Sequence, residues 1–344
     1  MDVYLHIGWH KTGTTAIQKL LLRNRPALRD QLGMGYPAAG LYKASHHLPA
    51  WALQLPLRAR LLKQIGCSRS PEAMFRDMLE EATSQGLNSV VISSEEFSPI
   101  HRYNLDRLAK SFEGHRVVIV AYVRRQDEYI ESTYNQMVKF WRSRFTKDFG
   151  TFLEGHLKTE RLNYHRYFRQ WADVFGKDNL RIRIYNRRRF RGGDARLDFC
   201  DVIGLKENGL VLEAGEINES LDFDSVCFLS RFNAVPLSEP QHQEVVKVLR
   251  ELALANPDRS SSFLDAGQRM RVAERFEDSN RKFSRDFLGG RDAFDPVDTA
   301  DARTPGSFDE KRFVEMLSFV VPRLLKTREA QSPSEQATPR RASA

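Results

Sequence analysis

The sequence predicts an α/β fold: a sheet of mostly parallel strands covered by helices on both faces, followed by a largely helical C-terminal half. Short runs rich in β-forming residues recur at 3–7, 89–93 and 116–123. Stretches with apolar residues three and four apart separate them, and strands alternating with helices imply parallel crossovers. The second and third runs are continuously apolar, as strands buried on both faces are.

Residues 3–7 end at Gly8 and read as a buried strand entering a turn. The next helix runs from Thr15, with Ile17, Leu20 and Leu21 on one face, and Asn24 with Pro26 marks its end. Residues 33–70 carry Gly, Pro, His46 and His47 around a helical stretch with Trp51, Leu53 and Leu57, and are expected to be irregular. A helix over 73–82 precedes the second strand, 89–93, which ends in Ser94, Glu95 and Glu96. A helix around Leu105, Leu108 and Phe112 leads into the third strand, 116–123. The spacing of Tyr129, Ile130, Tyr134, Met137 and Phe140 predicts a helix over 127–142, and another is expected over 163–175. Residues 180–185 alternate and predict a fourth, half-exposed strand.

Beyond it, helices are expected at 195–203, 225–233, 240–254 and 269–287, and one more over 312–326, interrupted at Pro322. Residues 289–309 are rich in Gly, Asp and Pro, and 329–344 have a disordered composition. The expected organisation is one α/β domain over 1–290, a C-terminal extension with a helix over 291–328, and a disordered tail over 329–344.

The 344 residues carry 53 basic and 45 acidic side chains, a net charge of +8. This excess favours anionic ligands without separating nucleotide, glycan, anionic lipid and nucleic acid. Cys67, Cys200 and Cys227 lie far apart and form no C-x-x-C pair, so neither a zinc site nor a disulfide framework is expected. The opening apolar stretch, broken by His6, His10 and Lys11, is too short and polar for a signal peptide. No run of about 18 apolar residues occurs, so no membrane span is expected. These features together predict a cytoplasmic enzyme.

The residues that carry chemistry begin with Gly8-Trp-His-Lys11-Thr12-Gly13-Thr14-Thr15, between a strand and a helix. A helix N-terminus presents unpaired N–H groups and the positive end of its dipole, Gly13 lets the backbone approach an anion, and Thr14 and Thr15 add hydroxyl donors. The string predicts a phosphate cradle of the P-loop type. It is not the nucleotide triphosphatase pattern, because Lys11 precedes the second glycine instead of following it. The plain alternative is a strand–helix turn with a solvated lysine.

Lys11-Thr-Gly-Thr-Thr15 resembles the loop that binds the 5'-phosphosulfate of 3'-phosphoadenosine 5'-phosphosulfate (PAPS) in PAPS-dependent sulfotransferases, and residues 6–18 are similar to bacterial members of that superfamily. Tyr122-Val-Arg124-Arg-Gln-Asp-Glu-Tyr-Ile-Glu-Ser132-Thr-Tyr134 strengthens the resemblance. In the family an Arg at a strand end and a Ser eight positions later bind the donor's 3'-phosphate, which assigns those roles to Arg124 and Ser132. An arginine at the carboxyl edge of a parallel sheet suits a phosphate on physical grounds as well. Arg125 reads as a surface ion pair with Asp127 or Glu128.

The resemblance spans roughly 1–290 and implies sulfuryl transfer to an acceptor hydroxyl or amine, with PAP as product and no metal. Lys11 is the natural cation to stabilise the departing oxygen. A base in this family often stands at the end of the second strand, which makes Glu95 the first candidate, with His46 and His47 as competitors. A helical turn capped by Ser93 or Ser94, with Glu95 only favouring its N-terminus, is the structural alternative. His10 is placed to contact donor or acceptor, or to serve the loop structurally. Arg281, in Asn280-Arg281-Lys282-Phe283, falls where a basic segment closes over the 3'-phosphate in some members, but it lacks their Arg-Lys-Gly form. Arg188 and Arg189 read as a solvated basic loop.

The sequence does not name the acceptor: basic residues would suit a carbohydrate or glycolipid, lipid, peptide and small-molecule hydroxyls stay open, peripheral membrane contact is left open, and nucleic acid is not expected as a partner. Two other readings stay open on the sequence: a P-loop kinase using ATP and Mg²⁺, and a non-enzymatic binder of nucleic acid or anionic membrane through 187–191 and the helix around 313–325.

Overall fold

The structure is a computed structural model that describes residues 1–207, 209–212, 221–255, 262–297 and 308–331. In chain order the elements are β1 (Asp2–Gly8), α1 (Thr14–Arg23), α2 (Arg25–Leu32), β2 (Met34–Gly35), α3 (His47–Ala52), α4 (Ala59–Gln64), α5 (Pro71–Ser84), β3 (Ser89–Ser93), α6 (Arg102–Lys110), β4 (Arg116–Val123), α7 (Gln126–Lys139), α8 (Phe149–Leu157), α9 (Tyr164–Phe175), β5 (Leu180–Ile184), α10 (Ala195–Ile203), α11 (Phe223–Phe232), α12 (Glu239–Leu254), α13 (Ala266–Phe287) and α14 (Glu310–Gln331).

The strands form one five-stranded sheet in the order β2-β3-β1-β4-β5, and every pairing is parallel. The expected α/β class is therefore observed, helical C-terminal half included. β1 lies at the centre, hydrogen-bonded to β3 on one side and β4 on the other. Connections leave it in opposite directions there, and such a reversal opens a crevice at the strands' carboxyl ends.

Alternation decides what each strand face buries. Val91 of β3 and Val118, Val120 and Tyr122 of β4 pack with Ile17, Leu20 and Leu21 of α1, Leu28 of α2 and Phe199 and Ile203 of α10. Met74, Phe75 and Met78 of α5, Leu105 and Leu108 of α6 and Phe168 and Trp171 of α9 are buried as well. Phe75 bridges Phe112 and Phe97, with ring centroids 4.9 and 6.3 Å away. At the sheet's edge β5 alternates buried and open positions as its sequence predicts.

Several boundaries differ from the sequence expectation for local reasons. Pro26 does not end the first helix but stands in the first turn of α2, where its missing N–H would be unpaired in any case. Asn24 ends α1, its Nδ2 donating to the Leu20 carbonyl over 2.8 Å. Within 33–70 the chain forms β2, α3 and α4; two-residue and six-residue elements are too short to show a period. α8 was not expected at all. α14 is longer than 312–326 and carries Pro322 inside it without interruption.

The described residues fall into two compact units, drawn from Met1–Tyr129, Leu157–Ile217 and Met270–Val297, and from Ile130–His156, Asn218–Arg269 and Asp298–Ala344. The single domain expected over 1–290 thus contains residues of both, because 130–156 and 218–269 cluster with α14. The first unit holds the sheet. In the second, α14 packs on α12, with Arg323 paired to Glu244 and Glu251, and Arg312 paired to Asp224 of α11. The tail expected at 329–344 lies, beyond Gln331, outside the described residues, as do 298–307 of the Gly, Asp and Pro-rich segment.

A buried polar clasp joins the sheet to α10. The Tyr122 hydroxyl donates to Asp198 Oδ2 over 2.7 Å, and the Arg183 guanidinium takes both carboxylate oxygens. Asp198 is only 3% exposed. Replacing it by alanine strands a buried phenol, although the half-open Arg183 regains water. Asp198→Ala is expected to lower unfolding free energy by about 2–3 kcal/mol in urea titration.

Candidate functional site

Between β1 and α1 the chain turns through three left-handed residues: Gly8 at φ 68°, Lys11 at φ 67° and Gly13 at φ 79°. Glycine takes this conformation freely, whereas at Lys11 it costs about 1–2 kcal/mol. A Cβ on Gly8 would sit 2.7 Å from Glu95 Cβ, and one on Gly13 would sit 3.1 Å from the Tyr185 ring. Both glycines thus permit close approaches as well as a turn.

The loop is pinned from inside. Thr12 is buried, and its hydroxyl donates to the Trp9 carbonyl over 2.6 Å, which commits that proton to the loop and not to a ligand. Trp9 is fully buried against Tyr164 and Tyr167, with ring centroids 5.4 and 4.4 Å away. The Tyr164 hydroxyl reaches on to donate to the Arg124 carbonyl over 2.7 Å. The end of β4 and the loop after β1 therefore share one aromatic support.

α1 begins at Gly13 with no side-chain cap and no acidic residue in its first turn, so the positive end of its dipole faces outward uncompensated. Thr14 is buried and Thr15 is exposed at this end. The Lys11 ammonium makes no hydrogen bond or ion pair among the described residues. Burial, and then the neighbouring Arg124 charge, hold its pKa below the usual lysine value. Arg124, just past β4, gives Nε to Glu128 over 2.8 Å and lies 5.8 Å from the centre of the Tyr185 ring. Tyr185, which follows β5, thus roofs Gly13 and flanks Arg124. Arg125 turns away to chelate Asp127, the partner the sequence predicts, but the pair is not at the surface, since Asp127 is buried.

Glu95 follows β3 in a short 3-10 turn, which Ser94 caps by accepting from Glu96 N. The capped turn and a carboxylate in the crevice are therefore both present. Burial works to raise its pKa, but His47, the Gln18 amide, its own backbone N–H and His10 outweigh that and hold the carboxyl below its usual range. Gln18 Nε2 donates to Glu95 Oε2 over 2.8 Å.

The histidines divide sharply. His46 is fully buried; its Nδ1 accepts from Ser93 N at 3.1 Å, so its Nε2 carries the proton given to the Pro37 carbonyl at 3.0 Å. Both nitrogens are spent on structure, which removes His46 from the candidate bases. His47 meets Ser94 Oγ through Nδ1 at 2.7 Å and lies tilted over Trp51. Burial lowers its pKa first, against the opposing charges of Glu95 and Glu96. Burial lowers the His10 pKa likewise, with the Glu96 charge opposing.

Lys11, the open end of α1 and Arg124 are brought together at the carboxyl edge of the sheet, and Glu95 stands beside Gly8, where the same loop begins. Ser132 lies half-buried on the part of α7 that belongs to the second unit. Arg281 is 75% exposed and paired with Asp278. It lines a cavity of about 550 Å³ with Arg125, Asp127 and Asp292, and none of residues 8–15 lines that cavity. Sequence reading missed Gln18, Tyr164 and Tyr185; a tyrosine directly after a strand that neighbours β4 was the available signal for the last.

The chain is 29% identical over 206 residues to an uncharacterized protein of Archaeoglobus fulgidus, a match covering 60% of this chain and 55% of that one. This chain thus spans little more than half the length of that relative. No family model matches the chain, and no solved structure matches it. Among the described residues no helix is long and apolar enough to cross a membrane.

Buried imidazoles under this site carry a pH signature. Burial pushes His6 down from 6.5 to about 4 and His46 from 6.5 to about 3. As pH falls from about 6.5 to 4, the unfolded chain binds protons that the folded chain refuses, so stability drops with pH. Urea unfolding across that window should lose about 1.4 kcal/mol per pH unit for each histidine. His46→Gln should remove its share of the slope.

Proposed function

We propose that the protein is a sulfotransferase that moves a sulfuryl group from PAPS to an acceptor hydroxyl or amine, carried by a carbohydrate or glycolipid, and releases PAP. The observation that carries the reading is Lys11: an ammonium with no counter-charge among the described residues, held in a left-handed conformation beside an uncapped helix N-terminus. Strain at such a position points to use. A group with two adjacent anions, as in a 5'-phosphosulfate, fits the helix end and the lysine together. Arg124, whose lowering effect on the Lys11 pKa places a second cation nearby, suits the 3'-phosphate, for which it would exchange Glu128.

In the transfer the acceptor oxygen attacks sulfur in line with the bridging oxygen. The old S–O bond breaks, the electron pair leaves on the bridging oxygen of PAP, and the acceptor proton goes to Glu95. Lys11 stabilises the departing charge, and its lowered pKa also lets it donate a proton there. Glu95 is ionised near neutral pH and so stands ready to accept. Little covalent help is needed beyond this, since alignment and charge carry such transfers.

Two features speak against the other readings. No lysine follows Gly13, so the loop lacks the residue a triphosphatase or kinase loop uses. Within the basic run 187–191, Arg189 pairs with Asp295 and Arg191 with Asp201 and Glu207. Those charges are therefore compensated within the chain instead of forming a patch for nucleic acid. A cytoplasmic location, with peripheral membrane contact where the acceptor is a glycolipid, belongs to the same proposal.

The test is transfer of labelled sulfate from PAPS into a host extract, with EDTA present. Transfer that survives EDTA supports the reading; transfer lost to EDTA, or PAP binding no tighter than AMP binding, rejects it. Lys11→Ala is expected to lower kcat about 100-fold or more as well as weaken PAP binding. An unchanged kcat would remove the lysine from the chemistry.

A further inference from the structure

We propose that Gln18, held in turn by Ser45, is the positioning residue that fixes the Glu95 carboxylate for proton removal. The inference rests on the sulfotransferase reading of Glu95 and deepens it. Ser45 Oγ donates to Gln18 Oε1 over 2.7 Å, and Gln18 Nε2 donates to Glu95 Oε2 over 2.8 Å. The chain of bonds has one sense. Turning the Gln18 amide over would set its oxygen against a carboxylate oxygen, so an ionised Glu95 selects the orientation and the Ser45 hydroxyl donates to suit it.

Gln18 and Ser45 are 2% and 6% exposed, so no bulk water stands by to replace either bond. Gln18 lies on the second turn of α1, and the loop that carries Lys11 leads into this helix. Ser45 is clamped by paired backbone bonds with Tyr42, and its neighbour His46 is fastened to β3 through Ser93. The segment between β2 and α3 therefore reaches the candidate base through one amide. Glu95 Oε1 takes no side-chain hydrogen bond from the described residues, and this is the oxygen proposed to take the acceptor proton.

The titratable groups acting on Glu95 come from several elements: His6 of β1, His10 of the loop, Tyr36 after β2 and His47 of α3. None of them supplies a hydrogen bond to the carboxylate. Gln18 is the side-chain donor among the described residues, and a donor to the charged form favours ionisation. Removing it should raise the pKa of Glu95 and move any activity that needs the carboxylate to higher pH.

The experiment titrates Glu95 directly by carbon NMR of protein labelled at the glutamate δ-carboxyl, with the resonance assigned through Glu95→Gln. In Gln18→Met, which keeps the length and loses the donor, the Glu95 midpoint should rise by about one pH unit. Ser45→Ala should move it in the same direction by less. A folded Gln18→Met with an unmoved midpoint overturns the proposal, and so does an unmoved Ser45→Ala if Gln18→Met does not fold. In the transfer assay the acid limb of kcat should shift by the same amount with the KM for PAPS unchanged. The titration needs no donor molecule, so a shifted midpoint in a protein that transfers no sulfate rejects the sulfotransferase reading while leaving the Gln18–Glu95 pair in place.

Discussion

The space between Gly8 and Glu95 governs the rest of the site. β1 must end where the turn after β3 passes it, and a single added carbon on Gly8 would overlap both the Cβ and the Cα of Glu95. The register between β1 and β4 shifts between His6 and Gly8, so the strand leaves the sheet as it meets this neighbour. The left-handed turn that follows aims α1 back across the sheet. Its first turn then carries an exposed dipole end, and its second turn brings Gln18 to Glu95. Anion cradle and candidate base are thus products of one close approach.

Around that contact the protein separates charge by depth. Several polar groups beneath the carboxyl edge are spent on one another, His46 on Ser93 and Pro37, Thr12 on Trp9 and Ser45 on Gln18, although His6 Nε2 and Trp9 Nε1 are buried without a partner. At the edge, the Lys11 ammonium is left without a partner, and Oε1 of Glu95 without a side-chain donor, among the described residues. Satisfied buried networks hold geometry, and unsatisfied groups at the rim of a crevice are where a ligand gains most by arriving. The same division explains why two adjacent histidines of one sequence behave differently. His46 is locked between two backbone groups, and His47 keeps its Nε2 for whatever enters.

Most of the architecture was legible because long periodic segments announce themselves. The apolar run of β4, the strict alternation of β5 and the spacing within α5, α9 and α12 all appear where the sequence places them. What escaped were elements shorter than a pattern, such as β2 and α4, and boundaries where proline has two meanings, as at Pro26. The candidate site was legible in its local string, since glycines, lysine and threonines sit between a strand and a helix. Gln18, Tyr164 and Tyr185 were not, because each acts across the fold on residues 77, 40 and 172 positions away, and no local rule reports such a meeting. The division into two interleaved units was hidden for the same reason, as one helix, α7, serves both.

The central place of β1 also has a consequence for biosynthesis. Asp2 pairs with Ser89 on one side and Arg116 on the other, so β1 has to wait during synthesis for partners made roughly a hundred residues later. Contacts of such separation form slowly. Through that interval β1 and the turn after it are without the neighbours that later fix them, which leaves an apolar strand edge for a chaperone to cover.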